Sequence, residues 1–327
     1  LLALIQAHRV THLHMVPIMF NRLLKLPEEV RRKYDLSSLK FVVHAAAPCP
    51  PEIKKQMLAW WGPVVNEFYG STEGNVSTFN FDAKIGSIGR IPKWARKKVN
   101  LRLVQFDTDA EQPVRNPQGL CIECGPGQVG ECLGKIGSDP RFDYSGYVDK
   151  VASERKILRD VVEKGDAWFR TGDLMRMDAE GFLYFVDRIG DTFRWKGENV
   201  ATTEVEGALS SHPAVEEAVV YGVEIPGTDG RAGMAAVKLR DGQSLEGSEV
   251  AAHLYGKLPN YAVPLFIRIV DSLEHTSTFK SRKVELRNEG YDVGADTLHV
   301  LEGREGGYVD SYDEYVGKVA AGSVPKG

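Results

Sequence analysis

The sequence predicts an α/β protein in three parts: a parallel α/β sheet, a small barrel-like β-rich subdomain, and a small α+β domain. Three observations carry this. Residues 10–70 read as strand, helix, strand, helix, strand, the alternation of a parallel, doubly wound sheet. From about residue 99 the texture changes to short apolar runs separated by Pro, Gly and Asn. After Asn199 the helix–strand alternation restarts over roughly 110 residues, enough for an independent core. The expected boundaries are 1–189 for the first two parts (sheet to about 98, β-rich from 99), 190–302 for the α+β domain, and a tail of 303–327.

The elements follow in order. Residues 1–7 are apolar and helix-like, and 11–16 alternate as a strand does, which puts His12 and His14 on one face. Pro17 to Lys25 has helical spacing. Pro27 opens a short helix with Glu28 and Glu29 in its first turn and basic residues in its last, which suits the helix dipole. The strand at 39–44 runs into a loop of small residues, Ala45, Ala46, Ala47 and Pro48, where a ligand can approach the backbone. Prolines then start a helix over 52–61, and 64–68 is the next strand. Strands are expected at 101–106, 120–124 and 131–136, and a charged amphipathic helix at 150–164. A strand pair flanks the turn at 178–181. Thr203 and Glu206 have capping-box spacing for a helix running to His212. Strands at 215–223, 234–239 and 265–270 and helices at 248–258 and 281–289 complete the last domain.

Composition is that of a globular protein, with 43% hydrophobic and 26% charged residues. A net charge of −4 gives no basic footprint for nucleic acid. No run of about 18 apolar residues suggests a membrane span, and the apolar start lacks the flanks of a signal peptide. Four cysteines point to a reducing compartment, and Cys121 and Cys124 have no paired motif that would make a zinc site. The G-x-G-x-x-G at 125–130 contains a proline and precedes a strand rather than a helix, so it is not a dinucleotide fingerprint.

Two loops lie beyond strand carboxyl ends, where ligands bind in α/β sheets. One is the loop at 44–50. The other is Tyr69, Gly70, Ser71, Thr72, Glu73, Gly74 and Asn75. Its hydroxyls and amides suit phosphate oxygens, its carboxylate suits magnesium, and the tyrosine offers a flat face to a base; a polar surface turn is the alternative. The stretch 187–199, DRIGDTFRWKGEN, is polar and Gly-punctuated and reads as a seam between two folded blocks rather than core.

The small-residue loop, YGSTEG at 69–74, FRTGDL at 169–174, DRIGDTFRWKGENV at 187–200 and TFKSRKVEL at 278–286 occur in one order. Together they resemble the adenylate-forming enzymes, the acyl-CoA synthetases in particular. Residues 76–300 resemble the very-long-chain acyl-CoA synthetase and fatty acid transport protein group. The first 70 are more similar to medium- and long-chain fatty acid–CoA ligases.

The resemblance implies a fatty acid, ATP and coenzyme A as substrates, with magnesium, and a reaction through an acyl-adenylate. It implies that Tyr69 stacks on adenine with the backbone of Ala45, Ala46, Ala47 and Pro48 beside it. Gly70, Ser71 and Thr72 lie along the nucleotide, and Thr72 touches phosphate. Glu73 holds the metal, Asp173 accepts from the ribose hydroxyls, and Arg188 serves the ribose or phosphate side. Lys280 neutralises charge on the α-phosphate. Trp195, Lys196 and Gly197 line the coenzyme A path, and Gly190 stands where the family carries a hinge Asp or Lys. The family's Ser/Thr/Gly-rich phosphate loop is not in these residues. The expectation is of a C-terminal portion of a longer enzyme, inactive by itself. A ligase for another carboxylic acid (a steroid side-chain or aryl acid) or a non-catalytic fatty acid carrier are the alternatives. A cytoplasmic location is expected; long-chain substrates favour peripheral membrane contact, and the oligomeric state stays open.

Overall fold

The computed structural model describes residues 1–71, 73, 76–96, 99–108, 110–137, 143–273 and 283–325. The chain divides into two compact units, Leu1–Ile189 and Gly190–Gly327.

The first unit opens with α1 (Leu2–His8), β1 (His12–Met15), α2 (Pro17–Leu24), α3 (Glu28–Arg32), β2 (Phe41–His44), α4 (Pro51–Trp61), β3 (Val65–Gly70) and β4 (Ser77–Asn80). The strands make one sheet in the order β1-β2-β3-β4, parallel across the first three and antiparallel between β3 and β4. The order runs straight through, so these strands do not contain the reversal that defines a doubly wound sheet. Ile5, Met15, Phe20, Val42, Met57 and Val65 form the core between this sheet and its helices. Prolines at the starts of α2 and α4 supply the fixed φ of a first helical turn. β3 extends two residues past the predicted end, taking Tyr69 and Gly70 out of the loop and into the ladder opposite Thr78 and Ser77.

The β-rich part comprises β5 (Gly89–Arg90), β6 (Leu101–Asp107), β7 (Gln112–Pro113), β8 (Val129–Lys135), α5 (Lys150–Arg155), β9 (Ile157–Arg159), β10 (Ala167–Met177) and β11 (Phe182–Arg188). Among the described residues it is a seven-stranded antiparallel sheet in the order β5-β11-β10-β8-β6-β7, with β9 on β10. Two expectations are corrected here. The helix at 150–164 ends at Arg155, because Ile157 and Leu158 pair with Phe169 and Trp168 instead. The Asp166 carboxylate then gathers the N–H groups of Val161, Val162 and Glu163 and the Trp168 indole N–H, fixing a turn where helix was predicted. Residues 120–124 form no continuous strand; they make isolated bridges, Arg115 to Cys121 and Val104 to Glu123, and scattered backbone hydrogen bonds such as Ile122 N–H to the Val114 carbonyl. The glycine motif at 125–130 has a packing role: a Cβ on Gly130 would stand 2.1 Å from the Val104 carbonyl of β6.

The second unit contains β12 (Phe193–Trp195), β13 (Glu198–Val200), α6 (Thr202–Ser210), β14 (Val215–Glu224), β15 (Arg231–Leu239), α7 (Gly247–Tyr255), β16 (Phe266–Ile269), α8 (Lys283–Glu289), β17 (Thr297–Gly303), β18 (Gly307–Asp310) and α9 (Tyr315–Ala320). β14 to β18 form a mixed sheet in chain order, parallel only between β15 and β16. The expected tail from 303 is instead part of this unit: Tyr308, Tyr315, Val319 and Val324 are buried in the same core as Val219 and Ile267. The capping-box expectation also changes. The N-cap of α6 is Ala201, which puts Thr203 inside the helix, and Glu206 accepts from the Val220 N–H.

Candidate active site

Two segments of the first unit meet at one hydrogen bond. The Tyr69 hydroxyl donates to Asp173 Oδ2 across 2.5 Å. Burial first, with the Asp173 carboxylate adding to it, pushes the phenol well above its ordinary range, so it stays a donor.

The local sequence of β10 explains how Asp173 is presented. Arg170 pairs with Leu133 and Leu174 with Glu131, so Thr171, Gly172 and Asp173 face the single residue Cys132 of β8. This is a bulge, and Gly172 takes the left-handed backbone it needs, at φ 79°. Thr171 Oγ1 donates to the Cys132 carbonyl at 2.8 Å and accepts from the Asp173 N–H at 3.1 Å. On the other side Asp173 is the ladder partner of Arg188, whose Nε lies 3.5 Å from Asp173 Oδ1. Arg188 is half exposed while Asp173 is mostly buried, so the carboxylate is held and the guanidinium has room to meet a ligand.

The bulge has a buried support that the sequence reading missed. Arg170 binds Glu131 in a bidentate pair, Nε to Oε1 at 2.9 Å and one terminal nitrogen to Oε2 at 2.8 Å. Burial raises the Glu131 carboxyl above its usual range and the guanidinium opposes the shift. Planar fork-to-carboxylate geometry of this kind fixes both side chains.

The rest of the YGSTEG segment is placed in part. Ser71 Oγ is buried and has no hydrogen-bond partner among the described residues. Glu73 Oε1 accepts from the Tyr147 hydroxyl at 2.5 Å, and Tyr147 packs edge-on against Tyr144, which tilts against Phe169. Neither tyrosine was singled out from the sequence, because nothing local distinguishes them. No group of three or more His, Cys, Asp or Glu that could hold a metal occurs among the described residues. Thr72 lies outside the described residues, as does Lys280. In the 45–48 loop, Ala46, Ala47 and Pro48 are exposed, and Ala46 has a left-handed backbone at φ 72°.

A profile described as AMP-binding enzyme matches residues 1–131, and one described as AMP-binding enzyme C-terminal domain matches residues 204–280. The two together cover more than half of the chain. The chain belongs to the AMP-binding enzyme family. It is 47% identical over 280 residues to a medium/long-chain-fatty-acid–CoA ligase of Mycobacterium tuberculosis, covering 85% of this chain and 45% of that protein. It is 48% identical over 248 residues to long-chain fatty acid transport protein 5 of Homo sapiens, covering 75% of this chain and 36% of that protein. The chain thus spans less than half the length of these curated relatives. Among solved structures, the amide bond synthetase of Marinactinospora thermotolerans matches with a TM-score of 0.67 at 27% identity, over 88% of this chain and 54% of that one. An o-succinylbenzoate–CoA synthetase of Bacillus subtilis, solved with its acyl-adenylate intermediate, matches with a TM-score of 0.66 at 27% identity, over 88% of this chain and 52% of that one.

In this member of the AMP-binding family the 187–199 stretch is not simply a polar seam. Phe193 and Trp195 are 5% and 3% exposed and belong to the core of the second unit. β12 and β13 form a hairpin, and Lys196 and Gly197 are its two-residue turn, with φ 51° and 85°. Positive φ at both positions matches the right-handed twist of the strands, and the glycine is the residue that tolerates it. Trp195 also bridges to Gly230, where a Cβ would stand 2.2 Å from the Arg194 carbonyl. The period-2 alternation of Phe193 and Trp195 was the signal for a half-buried strand, masked by the charge of Arg194 between them. Gly190, at φ 88°, is the first residue of the second unit, and no described residue beyond its chain neighbours lies within 4 Å of where a Cβ would stand. No helix among the described residues is long and apolar enough to cross a membrane.

Proposed function

We propose that these residues form the nucleotide- and coenzyme A-handling parts of an ATP-dependent long- or very-long-chain fatty acid–CoA ligase. The observation that carries this is the Tyr69–Asp173–Arg188 constellation: an aromatic face, a held carboxylate and a half-exposed guanidinium, brought together from three segments. The names of the two curated relatives support the acyl class.

In the first half-reaction the fatty acid carboxylate attacks the α-phosphorus of ATP, and pyrophosphate leaves. Asp173 accepts from the ribose hydroxyls, a task for which a carboxylate has enough lone pairs. Tyr69 lies along adenine, with the loop of Ala45, Ala46, Ala47 and Pro48 on its other side. Ser71 Oγ, buried without a partner among the described residues, fits a phosphate oxygen, and Gly70 lets the ligand pass close. Thr72 donates to phosphate. Glu73 fits magnesium as a single carboxylate, since this ion takes most of its other ligands from phosphates and water. When bound, the ion supplies neutralisation of phosphate charge. Lys280 brings a point cation to the α-phosphate.

In the second half-reaction the coenzyme A thiol attacks the acyl carbonyl carbon and AMP leaves. Lys196 and Gly197, exposed at the hairpin turn, line the thiol path, and buried Trp195 supports the turn from beneath. Gly190 serves as the pivot between the two steps.

Titration calorimetry of the chain with AMP tests the reading. Saturable binding lost in Asp173→Ala is expected. Fatty acid binding with no AMP binding, unchanged by Asp173→Ala, would overturn the ligase in favour of a carrier.

A further inference from the structure

Beneath the 45–48 loop lies a buried charged cluster to which the chemistry above assigns nothing. Lys54, in the first turn of α4, is 0% exposed, and its Nζ donates to His44 Nε2 over 2.8 Å. Glu67 Oε2 lies 3.9 Å from the same Nζ and 3.5 Å from His44 Nε2. His44 and Glu67 are ladder partners on β2 and β3. Cys49, at the end of the loop, is buried close enough for its thiol to feel the charges of Glu67 and Lys54.

For stability alone this is a poor use of core volume. Removing an ammonium and a carboxylate from water is costly, and apolar residues of similar size commonly serve as well or better. The cluster's neighbours suggest what it does instead. His44 directly precedes Ala45. Glu67 stands two residues before Tyr69 on the same strand, so the two side chains share a face. Between the anchors, Ala46 holds a left-handed backbone at φ 72°, which a residue with a Cβ keeps only where its flanks are pinned. On one flank are Pro48, Pro50 and Pro51. On the other is His44, gripped by Lys54.

We infer that Lys54, Glu67 and His44 are positioning residues, an electrostatic tie between α4, β2 and β3 that sets the 45–48 loop and Tyr69 at the spacing of an adenine ring. The inference rests on the nucleotide reading above. None of the three touches the nucleotide: His44 and Lys54 are wholly buried and Glu67 is 5% exposed. They act through the loop and the tyrosine they hold.

The decisive variant is Lys54→Met/Glu67→Leu, which removes both charges and keeps an apolar filling. AMP affinity and Tm are measured side by side with wild type, Asp173→Ala and Glu67→Gln, the last changing charge without changing shape. The double variant is expected to melt within a few degrees of wild type and to bind AMP at least ~10-fold more weakly. Glu67→Gln, which keeps the shape and removes the titrating group, is expected to weaken AMP several-fold at neutral pH with a Tm no lower than that of wild type. A folded double variant that binds AMP as wild type does, or a double variant that fails to fold while Glu67→Gln binds normally, overturns the inference and leaves the nucleotide reading intact. Absence of AMP binding in wild type itself would overturn the nucleotide reading, and this inference with it.

Discussion

The Tyr69 hydroxyl and the Asp173 carboxylate, 104 positions apart in sequence, are joined by a 2.5 Å hydrogen bond. The bond ties the end of β3 to the bulge in β10 and pre-sets the distance between a ring face and a carboxylate. On the proposed nucleotide reading, ribose hydroxyls arriving at Asp173 would compete with the phenol for its lone pairs, so the two residues should differ in their effect on binding. Asp173→Ala removes two hydrogen bonds to a charged acceptor, at roughly 1.5–3 kcal/mol each, or about 100-fold or more in AMP affinity. Tyr69→Phe keeps the ring and frees a lone pair, so AMP affinity should stay within ~10-fold of wild type. Calorimetric titration of both variants decides it, and a Tyr69→Phe loss as large as that of Asp173→Ala would sink the competition account.

The bidentate pair under the bulge should behave as a unit. Arg170→Met strands the Glu131 carboxylate, whose side chain is 0% exposed. Breaking such a pair from one side costs about 3–5 kcal/mol. The folded-state pKa of Glu131 is already raised by burial, and losing the guanidinium raises it further. A carboxyl with a raised folded pKa loses stability as pH climbs above its unfolded value. The variant's deficit should therefore be greatest at neutral pH and shrink as pH falls toward the ordinary carboxyl range. Arg170→Met/Glu131→Leu should recover most of the loss. Urea unfolding of the three proteins at two pH values tests this, and a double variant as unstable as the single one counts against it.

What could be read from sequence was what is local. The Pro starts of α2 and α4 and the parallel strands around them are written in consecutive residues, and they came out near where the structure has them, whereas Tyr69 and Gly70 of YGSTEG lie in β3 rather than in a loop. What could not be read depends on partners. Glu131 and Arg170 lie 39 positions apart, and each alone looks like a surface charge. Lys54 sits among Glu52, Lys55 and Gln56 on a helix whose exposed face is equally polar, so nothing marks it as buried. Residues 156–164 keep helical charge spacing, yet β10 offers an edge that Ile157 and Leu158 fill, and tertiary pairing overrides propensity. Trp195 was assigned to a ligand path by likeness of motif, whereas its ring lies in the core of the second unit.

Gly190 permits a test of the pivot. Its φ of 88° is outside the reach of proline, whose ring fixes φ near −65°. Among the described residues nothing beyond the chain neighbours stands within 4 Å of the Cβ an alanine would add, so Gly190→Ala meets backbone strain, on the order of 1–3 kcal/mol. In the intact enzyme Gly190→Pro should separate the half-reactions, lowering one of fatty acid-dependent ATP–pyrophosphate exchange and thioester formation at least ~10-fold relative to the other. Gly190→Ala should affect both mildly. If Gly190→Pro leaves both half-reactions at wild-type rates, the pivot is elsewhere.

The His44–Lys54–Glu67 cluster carries two opposed pH effects. Burial, assisted by Lys54, lowers His44 from its ordinary 6.5 to about 3, and the neutral ring is the acceptor that the Lys54 ammonium requires. Burial raises Glu67 from 4.5 to about 7, with Lys54 opposing. Lys54 is itself lowered by burial, and the Cys49 thiol is raised by burial and by Glu67. Between pH 4.5 and 6.5 the unfolded chain binds the histidine proton that the fold refuses, so His44 makes stability rise with pH. Over the same window the fold keeps the Glu67 proton that the unfolded chain releases, so Glu67 makes stability fall with pH. The two slopes largely cancel in wild type. Glu67→Gln deletes one of them and leaves Lys54 still set against a charged His44. Its unfolding free energy should then climb by roughly 2 kcal/mol more than that of wild type across this window, at up to ~1.4 kcal/mol per pH unit. Urea unfolding of both proteins through the window reads the slopes directly, and a Glu67→Gln slope no steeper than wild type would show that the two groups do not titrate against each other.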